Sequence, residues 1–200
     1  MKMMNSKIKL LVIVLVFALV LAGAYVLYTQ LGDSVAPDQL ATQPGLGEQQ
    51  DAPSGTGETG PSRIQAPDFT VYDADGREAK LSDYFGKPIV LNFWASWCGP
   101  CQSEMPDFQD KYLELGEEVQ FLMVNMTGGR ETLASAKSFI AQSGYTFPVL
   151  YDTDMDAAQT YSVYSLPTTY FVDAQGYLVA QATGAINAEL LQRGIDMIYK

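Results

Sequence analysis

The segment PIVLNFWASWCGPC occupies residues 88–101 and joins an apolar run to the chain's two cysteines, Cys98 and Cys101. The run Ile89–Phe93 is rich in strand-forming residues and lacks polar alternation, which predicts a strand covered on both faces. The residues that follow Cys101, as far as Leu113, predict a helix. Two cysteines separated by two residues at a strand-to-helix junction are placed for reversible disulfide chemistry.

The start of the predicted helix suggests how the two cysteines divide the work. Unpaired backbone N–H groups and partial positive charge at a helix N-terminus favour a thiolate. We therefore expect Cys98 to be the nucleophile and Cys101, one turn further on, to close the disulfide. Zinc requires about four ligands, and the chain has no histidine and only these two cysteines. No cofactor or metal is therefore expected beyond the redox-active Cys98–Cys101 pair.

Several motifs around the cysteines resemble a known family. Trp97-Cys98-Gly99-Pro100-Cys101, with Pro106 five residues later, resembles the thioredoxin active site. Glu104, the upstream Ala66-Pro67-Asp68-Phe69 and the downstream Leu166-Pro167-Thr168-Thr169 are similar to the TlpA/ResA branch, which consists of membrane-anchored thiol–disulfide oxidoreductases of the bacterial cell exterior. The resemblance covers residues 66–200. It implies an α/β fold, a thioredoxin-like three-layer α/β/α sandwich with a mixed central sheet, an N-terminal β-hairpin and a central insertion around Phe147–Tyr161.

The pattern of apolar residues is consistent with that fold. Glu118–Asn125 predicts a second parallel strand and Thr132–Gly144 a helix with Leu133, Ala136, Phe139 and Ile140 on one face. Thr169–Ala182 predicts a hairpin, and Asn187 is placed to cap a last helix. Strand–helix alternation followed by a hairpin is typical of a mixed sheet with helices on both faces.

The resemblance also implies roles for residues around the cysteines. Gly99 and Pro100 shape the turn, and Trp97 covers the rim of the site, whereas Trp94 is expected in the core. Pro167 matches a cis-proline packed beside the cysteines. A cis Leu166–Pro167 bond would leave the backbone of Leu166 available to an incoming chain.

Asn92 occupies a strand position where thioredoxin has a buried aspartate that relays a proton to the second cysteine. Because asparagine does not titrate, water or another carboxylate must carry that proton. Glu104 is the nearest candidate, three residues after Cys101 on the same side of the helix. The alternative is that Glu104 faces solvent or pairs with a lysine.

The N-terminal segment contains a pattern that predicts export of the protein. Leu10–Leu27 is an uncharged run of 18 residues preceded by Lys2, Lys7 and Lys9, which predicts a signal-anchor helix over residues 1–28 with its N-terminus inside. Ala22-Gly23-Ala24 leaves cleavage and secretion as the alternative. Residues 29–65 contain no aromatic side chain and predict a disordered Gly/Pro-rich linker before the redox domain, residues 66–200.

These features favour a protein-disulfide reductase outside the cytoplasm. By resemblance, its substrates are exported proteins such as apocytochrome c during cytochrome c maturation, and its electron donor is a membrane thiol carrier of the CcdA/DsbD type. A net charge of −11 argues against nucleic acid as a partner. The alternatives are a peroxiredoxin-like peroxidase, disfavoured because Trp94 and Ala95 stand where peroxide-polarising residues are needed, and a non-enzymatic binding module.

Overall fold

The computed structural model describes residues 15–17, 20, 40–42 and 63–199. The chain divides into two compact units, Met1–Pro37 and Asp38–Lys200. Within the described residues, no helix has both the length and the apolar character needed to cross a membrane. Most of the predicted anchor Leu10–Leu27 lies outside the described residues. Its described positions, 15–17 and 20, are helical and exposed.

The second unit is built on a mixed sheet of eight strands in the order β1-β8-β7-β4-β5-β6-β2-β3. Strand β4 lies near its centre, parallel to β5 and antiparallel to β7. The strands are β1 (Ala41–Thr42), β2 (Thr70–Tyr72), β3 (Glu78–Lys80), β4 (Ile89–Trp94), β5 (Gln120–Asn125), β6 (Val149–Tyr151), β7 (Thr168–Val172) and β8 (Leu178–Thr183).

Helices cover both faces of the sheet, which confirms the predicted three-layer sandwich. They are α1 (Gly99–Leu115), α2 (Leu133–Ser143), α3 (Asp156–Thr160) and α4 (Ala188–Ile198), with a 3₁₀ turn at Leu81–Tyr84. One core contains residues of α1, α2 and α4, including Phe108, Ala136 and Leu191. The opposite core contains residues of the 3₁₀ turn and α3, Leu81 and Ala157 among them.

Strand β4 is buried along its whole length, as its continuous apolar run predicted. Its side chains alternate between the two cores: Val90 and Trp94 join the α1 side, whereas Leu91 and Phe93 join the α3 side. A strand fixed by packing on both faces is a rigid support. It therefore holds the start of α1, five residues beyond its end, in a defined position at the edge of the sheet.

The segment between β5 and β6 contains the predicted helix. Helix α2 begins after Thr132, whose side chain accepts a hydrogen bond from the Ser135 amide, and ends at Gly144, which has φ of 72°. Glycine suits that end because it has no Cβ to oppose a left-handed conformation. The predicted apolar face is only partly correct: Ala136 is buried, but Leu133 is 38% exposed.

Part of the segment predicted as a disordered linker, residues 29–65, belongs to the fold, so that prediction is wrong at these positions. Strand β1 pairs with β8, Ala41 opposite Gln181, and Gln65 bridges to Tyr177. Arg63 pairs with Asp173. Backbone pairing needs no apolar side chains, which explains why composition did not reveal these contacts. The redox domain therefore begins before Ala66, and most other residues of the segment lie outside the described ones.

Candidate active site

Cys98 and Cys101 form a disulfide at the start of α1, with their Cα atoms 5.2 Å apart. Cys98 is the residue that caps the helix, and Pro100 lies in the first turn, where a missing N–H costs nothing. Cys98 retains 5% exposure, whereas Cys101 is fully buried. An incoming sulfur can therefore approach Cys98 but has no direct access to Cys101.

The helix start supplies electrostatic support for charge on Cys98. The backbone amide of Cys101 donates a hydrogen bond to Sγ of Cys98 at 3.2 Å. This N–H belongs to the first turn, whose amides have no partner within the helix, and the helix dipole adds partial positive charge there. Both effects stabilise a thiolate on Cys98 once the disulfide is reduced.

A groove of about 480 Å³ opens beside Cys98. It brings together five residues that the sequence predicted for the site and four that it did not. The predicted ones are Trp97, Cys98, Gly99, Pro100 and Leu166, and the others are Met126, Arg130, Val163 and Tyr164. The structure places Trp97 at the rim, 44% exposed, and Trp94 in the core. The groove is open to solvent and mainly apolar, which suits a peptide segment lying across the disulfide.

The Leu166–Pro167 peptide bond is cis, as the resemblance implied. Pro167 is buried directly before β7, and Leu166 is half-buried in the groove wall. Among the described residues, neither the amide nor the carbonyl of Leu166 has a hydrogen-bond partner. The backbone at Leu166 can therefore pair with an extended chain in the groove.

Glu104 is buried on α1, one turn beyond Cys101, and only 2% exposed. Its Oε1 accepts a hydrogen bond from Asn92 Nδ2 at 2.8 Å, and its Oε2 accepts one from the Ile186 amide at 3.0 Å. The alternative of a solvent-facing or lysine-paired Glu104 is therefore wrong. The reason is tertiary: β4 and the segment before α4 enclose this face of α1.

Burial sets the protonation of Glu104. Loss of solvent around the charged form raises the pKa of this carboxyl to about 7. The hydrogen bonds from Ile186 and Asn92 oppose the rise, while the nearby charge of Asp107 adds to it. Near neutral pH this group can both accept and release a proton. Cys101 lies three residues earlier on the same helix, within the distance at which helix side chains interact.

Asn92 connects Glu104 to the strand that follows Pro167. Its Nδ2 also donates to Thr169 Oγ1 at 3.0 Å, and both side chains are fully buried. β4, α1 and β7 are thereby joined through one polar cluster beneath the disulfide. Asn92 keeps the carboxylate of Glu104 hydrogen-bonded without adding a second charge to the buried cluster.

A second buried carboxylate, Glu131, was not predicted. It lies in the β5–α2 loop, residues 126–132, and is 3% exposed. Its Oε2 accepts from the Ser96 amide and its Oε1 from Ser96 Oγ at 2.9 Å, while Ser135 Oγ also donates to Oε1. The carbonyl of Ser96 accepts from Gln102 Nε2. The turn before Trp97 and Cys98 is therefore held from two directions.

Arg130, the residue before Glu131, lies over the ring of Trp97. Its Cζ atom is 4.9 Å from the ring centroid, within the range of a cation–π contact. No sequence pattern indicated either loop residue, since both follow two glycines in an otherwise polar stretch 29 to 33 residues after the cysteines. Glu104, by contrast, could be identified because it lies on the same helix as Cys101, three residues later.

The comparisons with known proteins agree with this geometry. Residues 63–181 match the model of the AhpC/TSA family. The chain is 37% identical over 134 residues to the thiol–disulfide oxidoreductase ResA of Geobacillus kaustophilus, covering 66% of this chain and 75% of that protein.

Two solved structures are similar over most of their own length. A putative thiol:disulfide interchange protein DsbE from Chlorobium tepidum has a TM-score of 0.59 and 31% identity, covering 66% of this chain and 94% of that one. The pneumococcal exposed lipoprotein thioredoxin of Streptococcus pneumoniae has a TM-score of 0.58 and 34% identity, covering 65% and 99%. With a Cys98–Cys101 disulfide at a helix start, the chain belongs to the AhpC/TSA family and is a thiol–disulfide oxidoreductase similar to ResA.

Proposed function

We propose that this protein reduces disulfides of exported proteins outside the cytoplasm, with apocytochrome c as the leading substrate class. The observation that carries the reductase chemistry is the pair of cysteines at the start of α1, of which Cys98 alone lines the groove. The uncharged run after three lysines supports an exported, anchored domain. A name such as "exposed lipoprotein thioredoxin" for a similar structure supports the same location.

The reaction proceeds in two exchanges. The Cys98 thiolate attacks one sulfur of the substrate disulfide, forming a mixed disulfide and releasing the other substrate sulfur as a thiolate that takes up a proton. Cys101 then loses its proton and attacks Sγ of Cys98. This step releases the second substrate thiol and forms the Cys98–Cys101 disulfide. Two electrons pass to the substrate, and a membrane dithiol carrier of the CcdA/DsbD type restores the reduced pair.

Glu104 serves as the proton acceptor for Cys101 in the second exchange. Its buried position one turn along α1 supports this role. Its pKa of about 7 is suited to proton transfer near neutral pH. Asn92 and the Ile186 amide hold the carboxylate in place. Leu166 and Pro167 contribute by presenting backbone to the substrate chain in the groove.

The test uses trapping. Cys101→Ser cannot complete the second exchange and is expected to accumulate mixed disulfides on Cys98 in the native host, visible as higher-mass species that collapse on adding reductant. Mass spectrometry of the adducts identifies the substrates. Cys98→Ala/Cys101→Ser is the matched control and is expected to trap nothing.

Four outcomes separate the possibilities. Cytochrome c precursors among the adducts would support the maturation role, and other exported proteins would redirect it. Adducts consisting only of cytoplasmic proteins would overturn the location. A single variant that traps no protein, together with rapid peroxide consumption by the wild type, would favour a peroxidase instead.

A further inference from the structure

We propose that Arg130 makes the groove select disulfides flanked by an acidic side chain. This inference rests on the proposed reductase function and names a feature of its substrates. Arg130 lines the groove together with Cys98, and the other lining residues are uncharged. A peptide bound in the groove therefore meets one charged side chain near Cys98, the guanidinium of Arg130.

The guanidinium of Arg130 has no carboxylate partner among the described residues, although the chain has 23 acidic residues against 12 basic ones. Arg77, by contrast, pairs with Asp73 and Asp75, and Arg63 pairs with Asp173. Arg130 lies instead over the ring of Trp97, with its Cζ atom 4.9 Å from the ring centroid. A guanidinium carries five N–H donors, and contact with an aromatic ring leaves them available to a ligand carboxylate.

The backbone at Arg130 is held through its neighbours. Glu131, next in the chain, turns its carboxylate inward to Ser96 and Ser135, and the Glu131 amide donates to the Gly128 carbonyl at 3.0 Å. We call the hydrogen bonds of Glu131 to Ser96 and Ser135 the Glu131 clamp. Ser96 precedes Trp97 and Glu131 follows Arg130, so the clamp joins the backbone next to the ring to the backbone next to the guanidinium. This arrangement holds the positive charge over the groove at low entropic cost.

An acidic side chain next to the attacked cysteine can form a charge-assisted hydrogen bond to Arg130. Because Arg130 is exposed, the gain is limited, and we expect a discrimination of up to about fivefold, the upper end for exposed ion pairs. The net charge of −11 repels acidic ligands from the protein as a whole. The preference therefore depends on this one site and decreases as salt screens it.

The test uses three peptides with an internal disulfide that differ only in the residue beside the attacked cysteine: Asp, Asn or Lys. The measured quantity is the second-order rate constant with which the pre-reduced full-length protein reduces each peptide. For the wild type we expect Asp to be fastest and Lys slowest, with the difference shrinking at 0.5 M salt, a concentration chosen so that the Debye length falls to a few ångströms.

Variants of Arg130 give the decisive comparison. Arg130→Gln should remove the preference for the Asp peptide, and Arg130→Glu should make the Lys peptide the fastest. Arg193→Gln, which changes an exposed arginine on α4, should keep the wild-type order. Rates normalised to the Asn peptide remove any general effect of the charge on Cys98 reactivity.

The possible failures are distinguishable. Reduction of all three peptides at equal rates by the wild type, or an unchanged order in Arg130→Glu, overturns the selectivity alone. A reduced wild-type protein that reduces none of the peptides and no insulin overturns the reductase function and this inference with it.

Discussion

Two buried carboxylates near the active-site cysteines, Glu104 and Glu131, are held in different ways. Glu104 lies on α1, three residues after Cys101, and accepts hydrogen bonds from the Asn92 side-chain amide and the Ile186 backbone amide. Glu131 comes from the β5–α2 loop and accepts one backbone amide and two hydroxyl groups. Neither has a basic side chain as a partner among the described residues.

In the proposed mechanism, the difference in surroundings separates a chemical role for Glu104 from a positioning role for Glu131. Glu104 is hydrogen-bonded to Asn92 and to the Ile186 amide, and it follows Cys101 by three residues, the cysteine that loses a proton in the proposed second exchange. The bonds of Glu131 join the turn before Trp97 and Cys98 to the start of α2, so its contribution is to geometry. The same residue type is therefore expected to respond differently to the same substitution.

The largest expected effect is on the pH dependence of stability. The folded-state pKa of Glu104 is raised from 4.5 to about 7, so the folded protein holds this proton more tightly than the unfolded chain. Stability from this group is fully present below pH 4.5 and is lost as pH rises to about 7. Glutamine does not titrate, so the Glu104→Gln variant should not lose this stability as the pH rises. Denaturant unfolding of the oxidised protein should show the variant gaining about 3 kcal/mol on the wild type between pH 4 and pH 8.

Glu118→Gln, an exposed position, is the matched control for this titration and should follow the wild type at every pH. A difference between Glu104→Gln and the wild type that stays constant from pH 4 to pH 8 would contradict a raised pKa at Glu104.

The second effect is on the exchange rate. If Glu104 accepts the proton of Cys101, Glu104→Gln should slow resolution of a preformed mixed disulfide on Cys98 by about 10²-fold at pH 7, because general base catalysis contributes at least that much. The first exchange at Cys98 should change little. Rapid quenching with acid and mass analysis of the mixed disulfide measures the two steps separately.

Glu131→Gln is the control for the rate of mixed-disulfide resolution, because it alters another buried carboxylate that is not on the helix of Cys101. Its resolution rate should remain within a few-fold of the wild type. Equal slowing in both variants would remove the distinction between the two residues.

The smallest expected effect is on the free energy that the Glu131 clamp, the hydrogen bonds of Glu131 to Ser96 and Ser135, contributes to folding. Glu131→Gln replaces one acceptor oxygen by an NH₂ group that cannot accept from Ser96 or Ser135, and should lower the free energy of unfolding by about 2 kcal/mol. Ser135→Ala, which removes one of the three donors, should cost about 1 kcal/mol. Amide hydrogen exchange at Ser96 should accelerate in Glu131→Gln more than exchange at Cys98, whose amide donates to the Ala95 carbonyl. Unchanged protection at Ser96 would show that the clamp does not hold in solution.

Elements and chemistry that depend on neighbouring residues were predictable from the amino-acid sequence. The apolar run of β4, the cysteine pair at the start of α1 and the capping residues Thr132 and Asn187 all act within one or two turns of chain. Glu104 belongs to this group because helical spacing places it near Cys101. Such features are predictable because the interacting atoms are a few residues apart.

Tertiary structure decided the contacts between distant parts of the chain. Glu131 meets Ser96 across 35 positions, and Ile186 meets Glu104 across 82. Whether Glu104 faced solvent or the core depended on how β4 and the segment before α4 enclose α1, which no pattern on α1 encodes. β1 joined the sheet by backbone pairing with β8, in a segment whose composition predicted disorder. Hydrogen bonds of this kind depend on position rather than residue type, so they become visible only when the chain is folded.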